Sequence, residues 1–302
     1  MDLRFDGRVA VVTGAGGGLG RAHALELARR GASVVVNDIG ASLSGEEGGG
    51  DGPAAQVVTE IEAAGGSAVA DTNSVATVAG GEALIATAVE AFGRIDIVVN
   101  NAGILRDKTF HNTTPADIDP VIDVHLKGGF HVTRPAWRHF REQGYGRVVV
   151  TSSSAGFFGN FGQASYGSAK LGLVGLIKVL AQEGKKYNIT ANAIGPVALT
   201  RMTEAFDNPL NPHLGPENVA PVVAFLAHDS CDLTGEILSA GGGRVARVFL
   251  GVTRGYLAEK DAGLSAESVR DHLAQIMDDK DFVVPRNSTE EIQVLAQMLE
   301  SR

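Results

Sequence analysis

The sequence predicts a doubly wound α/β fold, in which a parallel sheet is covered by helices on both faces and is followed by a C-terminal helical extension. Short, continuously apolar runs recur along the chain, as expected of strands that are buried on both faces. Segments with helical apolar spacing separate these runs. A length of 302 residues suits one domain of about 250 residues followed by an appendage.

The first predicted elements alternate between strand and helix. Apolar runs predict strands at residues 9–12, 34–36 and 68–70, and apolar spacing predicts helices at residues 19–30 and 53–64. Gly31 ends the first helix, and Pro53 suits the first turn of the second. Residues 40–52 are rich in Gly, Ser and Glu, which predicts an exposed loop between them.

The alternation continues to about residue 194. Helices are predicted at residues 75–92, 115–143 and 164–184, and strands at residues 95–99, 148–150 and 189–194. Pro120 and Pro135 are expected to disturb the long segment 115–143 locally. With right-handed crossovers, this order gives a sheet of about six or seven strands.

A change of pattern predicts two domains, at residues 1–243 and 244–302. In the second, Ser265 can cap a helix that carries apolar residues on one face, and a capping box at residues 288–291 can start the last helix. We expect this extension to pack on the core or at a subunit interface. The alternative is that it shapes the substrate entrance.

Composition excludes several classes of function. Lys and Arg number 26 against 35 Asp and Glu, a net charge of −9 without a basic stripe, which argues against a nucleic-acid partner. Cys231 is the only cysteine, so no intrachain disulfide can form, and the histidines show no zinc-binding grouping. No signal segment is evident, and no apolar stretch approaches the length that spans a membrane. We therefore expect a cytoplasmic protein without a metal or a membrane span.

A glycine-rich loop between the first strand and the first helix predicts a dinucleotide site. The candidate residues are Gly14, Gly16, Gly18, Leu19 and Gly20. Glycines let the backbone approach a pyrophosphate, and the helix N-terminus offers free N–H groups to it. The spacing differs from the common G-x-G-x-x-G pattern, and a plain flexible turn also uses glycine, so the strand before and the helix after carry the prediction.

Acidic residues after the next strands favour NAD(H) over NADP(H). Asp38 can accept hydrogen bonds from the adenosine ribose and would repel a 2′-phosphate, although it could also be a simple turn residue. Arg21 could face the ribose, but it more naturally lies on the solvent side of its helix. Asp71 is placed to accept from the adenine amino group. Backbone along the cofactor is expected from Asn101, Ala102 and Gly103.

Tyr166 and Lys170 form the candidate acid–base centre. They lie four residues apart on one predicted helix and so share a face. Ser153 follows the strand at residues 148–150, at the sheet edge where ligands bind. A phenol with an ordinary pKa near 10 is a weak base, but a nearby ammonium and a positive nicotinamide ring would favour the phenolate.

Together, Thr13-Gly14-x-x-x-Gly18-x-Gly20, Asn100-Asn101-Ala102-Gly103, Ser153 and Tyr166-x-x-x-Lys170 resemble the short-chain dehydrogenase/reductase family over about residues 4 to 243. The resemblance implies a Rossmann-like NAD-binding and catalytic domain and a homodimer or homotetramer. It also implies that Tyr166 is the general acid/base, that Lys170 holds the nicotinamide ribose and lowers the tyrosine pKa, and that Ser153 orients the substrate oxygen.

Two positions depart from the family pattern. His125 stands where the family usually has an asparagine that supports a proton-relay water. His125 could hold that water or pass a proton itself, or it could be a structural histidine bonded to backbone. Pro196 is followed by Val197 rather than by glycine, so the loop at Pro196 could position the cofactor differently.

A narrower resemblance is to the (3R)-hydroxyacyl-CoA dehydrogenase branch of the family, which also includes 17β-hydroxysteroid dehydrogenases. The residues that carry it are Val36 to Gly40, Asn101 to Asp107, Gly159 to Ala164 and Arg201 to Thr203. It implies oxidation of a (3R)-3-hydroxyacyl-CoA to the 3-oxoacyl-CoA in fatty acid β-oxidation. A further alternative, on which the sequence is silent, is that the chain is the dehydrogenase partner of a separate hydratase. Arg106 and Lys108 are candidates for contact with CoA phosphates, or are simply solvated charges. The apolar residues expected in the acyl pocket, or in a lid that packs on itself, are Met202, Phe206, Leu210 and Leu214.

Other functions remain open from the sequence. A hydroxysteroid dehydrogenase, or a dehydrogenase of a steroid side-chain CoA ester, would use the same catalytic residues. A non-catalytic NAD(H)-binding regulator would need the glycine loop and Asp38 but not Ser153, Tyr166 and Lys170, so the presence of these three favours an enzyme.

Overall fold

The structure, a computed structural model, describes residues 2–42, 44, 52–199, 209–261 and 263–302. Most of the loop expected at residues 40–52 lies outside these residues, as do the 201–203 motif, Met202 and Phe206. The chain forms two compact units, Met1–Arg247 and Val248–Arg302.

A sheet of eight strands, counted over the described residues, forms the centre of the first unit, and its strand order is β3-β2-β1-β4-β5-β6-β7-β8. The strands are Val9–Thr13 (β1), Ser33–Asn37 (β2), Ser67–Asp71 (β3), Ile97–Asn100 (β4), Gly146–Thr151 (β5), Ile189–Pro196 (β6), Ile237–Gly241 (β7) and Arg244–Val248 (β8). Neighbouring strands from β3 to β7 pair in parallel.

The sheet exceeds the six or seven strands expected because the sequence pattern does not mark β7 and β8. Both strands are short, and only two residues of β7 are fully buried, so neither shows a continuous apolar run. Gly242 and Gly243, with φ of 58° and 79°, form the tight turn that joins them. Positive φ at both turn positions is accessible to glycine at little cost.

Helices flank the sheet, as the predicted alternation requires. They are Gly18–Arg29 (α1), Gly52–Ala63 (α2), Val78–Phe92 (α3), Pro115–Ile122 (α4), Gly128–Gln143 (α5), Ser154–Phe158 (α6), Ala164–Gly184 (α7) and Ala220–Ala227 (α8). The third helix begins later than expected because Thr77 caps it: the Thr77 hydroxyl accepts from the Gly80 N–H at 3.0 Å.

The long segment expected to be helical is interrupted between α4 and α5. A π-helical turn spans Asp123–Lys127, shortly after Pro120, and the Gly128 N–H donates to the carbonyl of Asp123, five residues back. Pro135 lies within α5, which continues through it. A π turn widens the helix by one residue, and such turns are frequent at functional sites. This turn carries His125.

The apolar character of β1, β2, β4 and β5 comes from their burial on both faces, since almost every residue in them is buried. Each fully buried Val, Leu or Ile contributes about 1.5–3 kcal/mol relative to exposure. The chain order reverses between β1 and β4, so the connections leave in opposite directions there. In open α/β sheets, the carboxyl ends of the strands at such a point form the ligand crevice.

By length and hydropathy alone, Ala164–Tyr187 is long and apolar enough to cross a bilayer, contrary to the expectation from the sequence. In the structure this segment contains α7, which contacts β6. Its buried side chains include Leu173 and Ile177, so part of its apolar composition serves the core.

The second unit contains a two-stranded antiparallel ribbon, Val252–Thr253 (β9) with Phe282–Val283 (β10). Its helices are Ala266–Asp271 (α9), Leu273–Ile276 (α10) and Ser288–Glu300 (α11).

Two expectations about these helices were wrong. Ser265 does cap a helix, but that helix is divided at His272, whose ring stacks on Tyr256 with centroids 3.7 Å apart. The cap of the last helix is Asn287 rather than Ser288, because the Asn287 side chain accepts from the Glu290 N–H at 3.0 Å.

Candidate active site

A cavity of about 780 Å³ opens at the carboxyl ends of the strands around β1 and β4. This volume is in the range of cofactor and substrate pockets. The predicted site residues that line it are Gly14, Gly18, Leu19, Asp38, Asn101, Ala102, Gly103, His125, Ser153, Tyr166, Lys170 and Pro196. Gly16, Gly20 and Asp71 are not among the described residues that line the cavity.

The glycine loop needs glycine for two geometric reasons. Gly14 has a φ of 62°, and a Cβ there would lie 2.8 Å from the Cα of Ala102. A Cβ on Gly20 would overlap the carbonyl of Gly14, because the first turn of α1 packs directly on the loop. The backbone therefore lies open to the cavity where a pyrophosphate would bind, and the loop fits a dinucleotide.

Thr13 connects the glycine loop to the turn after β4, a role that was not expected from the sequence. Its buried hydroxyl accepts from the N–H groups of Asn101 at 2.9 Å and Ala102 at 3.0 Å. The Asn101 side chain donates back to the Thr13 carbonyl at 3.0 Å. A threonine at the end of an otherwise apolar strand was the available signal.

Asp38 lines the cavity and is held by two backbone donors. Its carboxylate accepts from the N–H of Gly16 at 2.9 Å and of Gly40 at 2.8 Å. Gly16 therefore holds the Asp38 carboxylate through its N–H and does not itself contribute to the described cavity lining. A carboxylate has about four lone-pair positions, so Asp38 retains acceptor capacity for ribose hydroxyls. Arg21 forms an ion pair with Glu60 on α2 and is half-exposed, on the solvent side as expected.

The structure does not place Asp71 where adenine contact was expected. Its carboxylate is buried and accepts from Asn37 Nδ2 at 2.7 Å, from the N–H and Nδ2 of Asn73 at 2.9 and 2.8 Å, and from the Thr87 hydroxyl at 2.9 Å. These four donors use its acceptor capacity. Asp71 therefore joins β2, β3 and α3 as a structural residue.

Ser153, Tyr166 and Lys170 come together on one wall. Tyr166 and Lys170 lie one turn apart on α7, and the Ser153 hydroxyl hydrogen-bonds to Tyr166. Lys170 Nζ lies 5.5 Å from the centroid of the Tyr166 ring and donates to the Thr151 carbonyl at 2.7 Å. The Ser152 hydroxyl donates to the Lys170 carbonyl at 2.8 Å, which fixes α7 against the end of β5.

Burial governs the protonation of this centre. Burial lowers the pKa of Lys170 to about 7. It also raises the pKa of Tyr166, against the effect of the Ser153 hydrogen bond and with a further increase from the charge of Asp107. The net direction for the Tyr166 pKa in the protein alone is upward, because loss of hydration opposes the phenolate.

His125 is buried beside Tyr166. Its ring meets that of Tyr166 edge-on, with centroids 5.1 Å apart. Nε2 lies 3.0 Å from the Ile104 nitrogen and 2.8 Å from the Ile104 oxygen, so either neutral tautomer finds a backbone partner. Burial and the charge of Lys170 hold the pKa of His125 well below its usual value. A Cβ on Gly103 would overlap the ring, which explains the glycine there.

The second nitrogen of His125 keeps the relay interpretation open. Nδ1 is buried and has no hydrogen-bond partner among the described residues. A cavity of about 10 Å³, the size of a single water molecule, is lined by His125, Lys170 and Asn100, among others. Nε2 is therefore the nitrogen that is bonded to the backbone, and Nδ1 is the nitrogen that a proton-relay role would use.

The candidates for CoA contact are engaged within the protein. Lys108 forms an ion pair with Asp117 at 2.8 Å, and Arg106 donates to two main-chain carbonyls. Of the expected acyl-pocket residues that are described, Leu214 lines the cavity and Leu210 is exposed. Phe158, which the sequence analysis missed, also lines the cavity and is 75% exposed.

Comparison with known proteins gives close matches. A family model described as short chain dehydrogenase matches residues 8–210. The chain is 54% identical to a short-chain type dehydrogenase/reductase of Mycobacterium tuberculosis over 90% of this chain and 94% of that protein. It is 50% identical to peroxisomal multifunctional enzyme type 2 of Mus musculus, over 91% of this chain but only 37% of that longer protein. A hydroxyacyl-CoA dehydrogenase of Mycobacterium tuberculosis is 40% identical, over 81% and 80% of the two chains.

Two solved structures extend the comparison. Full-length peroxisomal multifunctional enzyme type 2 from Drosophila melanogaster superposes with a TM-score of 0.84 and 38% identity, over 99% of this chain and 50% of that one. A 7α-hydroxysteroid dehydrogenase complexed with NADH and a 7-oxo bile acid superposes with a TM-score of 0.72 and 31% identity, over 80% and 95% of the two chains. The parallel sheet and the flanking helices are shared with both.

Proposed function

Because this chain belongs to the short-chain dehydrogenase family and is an oxidoreductase that acts on hydroxyl groups, we propose that it oxidises a (3R)-3-hydroxyacyl-CoA to the 3-oxoacyl-CoA with NAD⁺. The observation that carries the proposal is the placement of Ser153, Tyr166 and Lys170 around the same cavity as the glycine loop. A proton acceptor and a dinucleotide site would then both reach the same CH–OH group of a substrate.

The cofactor proposal is NAD(H). Backbone of the glycine loop and of Asn101 to Gly103 would hold the pyrophosphate and the nicotinamide half, and Asp38 would accept from the adenosine ribose. Pro196, at the end of β6, would bound the nicotinamide pocket. When bound, NAD⁺ would supply a positively charged nicotinamide ring that becomes neutral when it accepts the hydride. The engagement of Arg21 with Glu60 supports NAD(H), because a 2′-phosphate would meet the Asp38 carboxylate instead.

Proton movement is the task of the protein side chains. Tyr166 takes the proton of the C3 hydroxyl, and Ser153 hydrogen-bonds to the same oxygen and holds it in line. Lys170, fixed by the Thr151 carbonyl, holds the nicotinamide ribose and offers a positive charge near the phenolate. Burial raises the Tyr166 pKa in the protein alone. The positive charges of Lys170 and of the bound nicotinamide ring would therefore have to offset the free-energy cost of a buried phenolate.

His125 would act as a neutral member of the proton route. With its pKa held low, the ring can exchange hydrogen bonds through Nδ1 without becoming charged. Its backbone-bonded Nε2 keeps the ring in place between Ile104 and Tyr166. His125 is thus proposed to position a proton carrier beside Lys170.

The acyl-CoA assignment rests on the names of relatives and on the motifs of the narrower branch. Relatives with 50% and 40% identity are named as a multifunctional enzyme and as a hydroxyacyl-CoA dehydrogenase. A hydroxysteroid substrate, free or as a side-chain CoA ester, is the second candidate, favoured by the superposition on the 7α-hydroxysteroid dehydrogenase. A non-catalytic NAD(H)-binding regulator would leave the Ser153, Tyr166 and Lys170 cluster without a use.

Assembly and location extend the proposal. Exposed apolar residues on α5 and α7, among them Phe130, Leu171 and Val179, support a homodimer or homotetramer. A separate hydratase would supply the hydroxyacyl substrate. The cytoplasmic location expected from the sequence stays a prediction, and the mouse relative is named peroxisomal.

The test follows NADH formation by purified protein with NAD⁺ and a medium-length (3R)-3-hydroxyacyl-CoA, beside its (3S) isomer and a 17β-hydroxysteroid. The proposal expects turnover of the (3R) thioester alone. Turnover of the sterol alone would select the second candidate. No turnover of any of the three would remove the acyl-CoA assignment and leave the family membership in place.

A further inference from the structure

Arg106 lies between two walls of the cavity, one formed by residues after β4 and the other by residues after β2. It follows Ile104 and Leu105, which line the cavity after β4. On the Asp38 side, the wall continues through residues after β2, among them Ala41 and Ser42. Arg106 reaches from the first of these walls to the second.

The guanidinium of Arg106 bridges two main-chain carbonyls. Nε donates to the Ser44 carbonyl at 2.9 Å, and Nη1 donates to the Ala116 carbonyl at 2.6 Å. Hydrogen bonds from a charged donor are about twice as strong as neutral ones, and the planar fork fixes the angle between its two partners. We call this arrangement of Arg106, Ser44 and Ala116 the Arg106 tie.

One end of the Arg106 tie is anchored on a rigid element. Ala116 lies in the first turn of α4, whose N-terminus is closed by a capping box between Thr114 and Asp117. Lys108 adds an ion pair to Asp117 at 2.8 Å. The anchored end therefore has its own support, independent of the cavity.

The other end holds the chain that follows Asp38. Near Asp38 this chain is fixed by the bond from the Gly40 N–H to the carboxylate, at 2.8 Å. Farther on, the Ser44 hydroxyl lies 3.0 Å from that of Ser42, which lines the cavity. Arg106 thus holds Ser44, which lies beside Ser42 on the same cavity wall as Asp38.

We propose that Arg106 is a positioning residue for the adenosine half of the dinucleotide, acting through the Ser44 carbonyl rather than by contact with substrate. This inference rests on the proposed use of NAD(H) and assigns a cofactor role to a residue first considered for CoA phosphates. Loss of the Arg106 guanidinium is therefore expected to weaken cofactor binding more than it slows the proton transfer at Tyr166.

The test measures equilibrium binding of NADH and of ADP-ribose, without substrate, to the full chain and its variants. In Arg106→Met both dissociation constants are expected to rise about tenfold, because two charge-assisted bonds that order the segment are lost. In Arg106→Lys the affinity is not restored, because a single ammonium cannot bridge both carbonyls. Binding of nicotinamide mononucleotide, which lacks the adenosine half, stays unchanged in both variants.

Arg134→Met is the matched control, since it removes an exposed guanidinium that is paired with Glu82 on α3 and takes no part in the Arg106 tie. NADH affinity within twofold of the wild type is expected there, and melting temperatures verify that each variant is folded. Wild-type NADH affinity in Arg106→Met, or its restoration in Arg106→Lys, would overturn the proposal.

A contact with CoA phosphates has its own signature, which would also overturn the proposal. In that case Arg106→Met raises KM for a CoA thioester, leaves KM for the matching N-acetylcysteamine thioester unchanged and leaves NADH binding intact. Failure of the proposed function stays distinguishable. Wild-type protein that binds no NADH contradicts the cofactor assignment, whereas absent thioester turnover leaves the binding measurement valid.

Discussion

At the amino end of the central sheet the buried charge of Asp96 has several protein partners, whereas at the carboxyl end Lys170 and His125 are buried with fewer partners. At the amino end, Asp96 is fully buried and accepts from the Val9 N–H at 3.0 Å. It also receives the guanidinium groups of Arg8 at 3.0 Å and Arg94 at 2.6 Å. Its charge is therefore compensated within the fold.

At the carboxyl end, Lys170 donates to one carbonyl, and no carboxylate pairs with it among the described residues. His125 Nδ1 is likewise unpartnered within the described part of the chain. Buried polar groups in native proteins are usually satisfied, and those that are not tend to lie at functional sites. Asp96 at the amino end therefore contributes stability, whereas Lys170 and His125 at the carboxyl end keep hydrogen-bonding capacity for ligands.

The largest expected effect is on turnover at the carboxyl end. Tyr166→Phe removes the proposed proton acceptor and keeps the ring beside His125, so we expect kcat to fall by roughly a thousandfold. Binding of NADH should stay within about threefold of the wild type, because the phenol oxygen is a minor part of the cofactor site. Steady-state kinetics and fluorescence titration measure the two. Substantial turnover in this variant would remove the proposed mechanism.

The next prediction concerns stability at the same end. The folded-state pKa of Lys170, about 7, lies below its ordinary value of 10.5. Between these pH values the unfolded chain holds a proton that the folded chain does not, so wild-type stability rises from pH 7 to pH 10. At pH 7 or below, the buried lysine opposes folding fully.

Lys170→Met should therefore lose activity and yet increase the free energy of unfolding at pH 7, on the order of 1–4 kcal/mol. Its stability should lack the wild-type rise between pH 7 and pH 9. Urea denaturation at both pH values measures this. Parallel changes in the wild type and the variant would show that the lysine is not buried at a cost.

The smallest expected effect is on cofactor choice. Asp38→Asn removes the charge that would meet a 2′-phosphate and keeps the size of the side chain, but its single amide oxygen can accept from only one of the Gly16 and Gly40 N–H groups. We expect the ratio of NADH to NADPH affinity to narrow by about tenfold. Asp71→Asn is the control, since Asp71 lies away from the cavity lining, and should leave the ratio unchanged. An unchanged ratio in Asp38→Asn would assign the preference to another residue.

The sequence predicted the features that depend on local pattern. The helix that carries Tyr166 and Lys170 has the expected bounds, Ala164–Gly184, because its apolar spacing is long and regular. The glycine loop and Ser153 were found because each follows an apolar strand at the expected edge of the sheet. Local pattern fixes such elements, and the sheet then brings them together.

The features that were missed depend on contacts between distant segments. β7 and β8 are short, and their pairing depends on the rest of the sheet. Asp71 looked like a ligand by position, but its donors come from β2 and α3. The raised pKa of Tyr166 depends on burial, which no spacing in the sequence reveals. The Arg106 tie likewise joins residues 62 positions apart.

The contrast between the two ends of the sheet is tested most directly by a matched pair of variants, each measured for turnover and for the free energy of unfolding. Asp96 precedes β4 at the amino end, and Ser153 follows β5 at the carboxyl end. Ser153→Ala should lower kcat by about a hundredfold and destabilise by about 1 kcal/mol through its lost cap. Asp96→Ala, with Asp96→Asn as the milder substitution, should destabilise by about 3–5 kcal/mol and leave turnover of the folded fraction unchanged. Wild-type turnover in Ser153→Ala, or a loss of turnover without a loss of stability in Asp96→Ala, would contradict this division between the two ends.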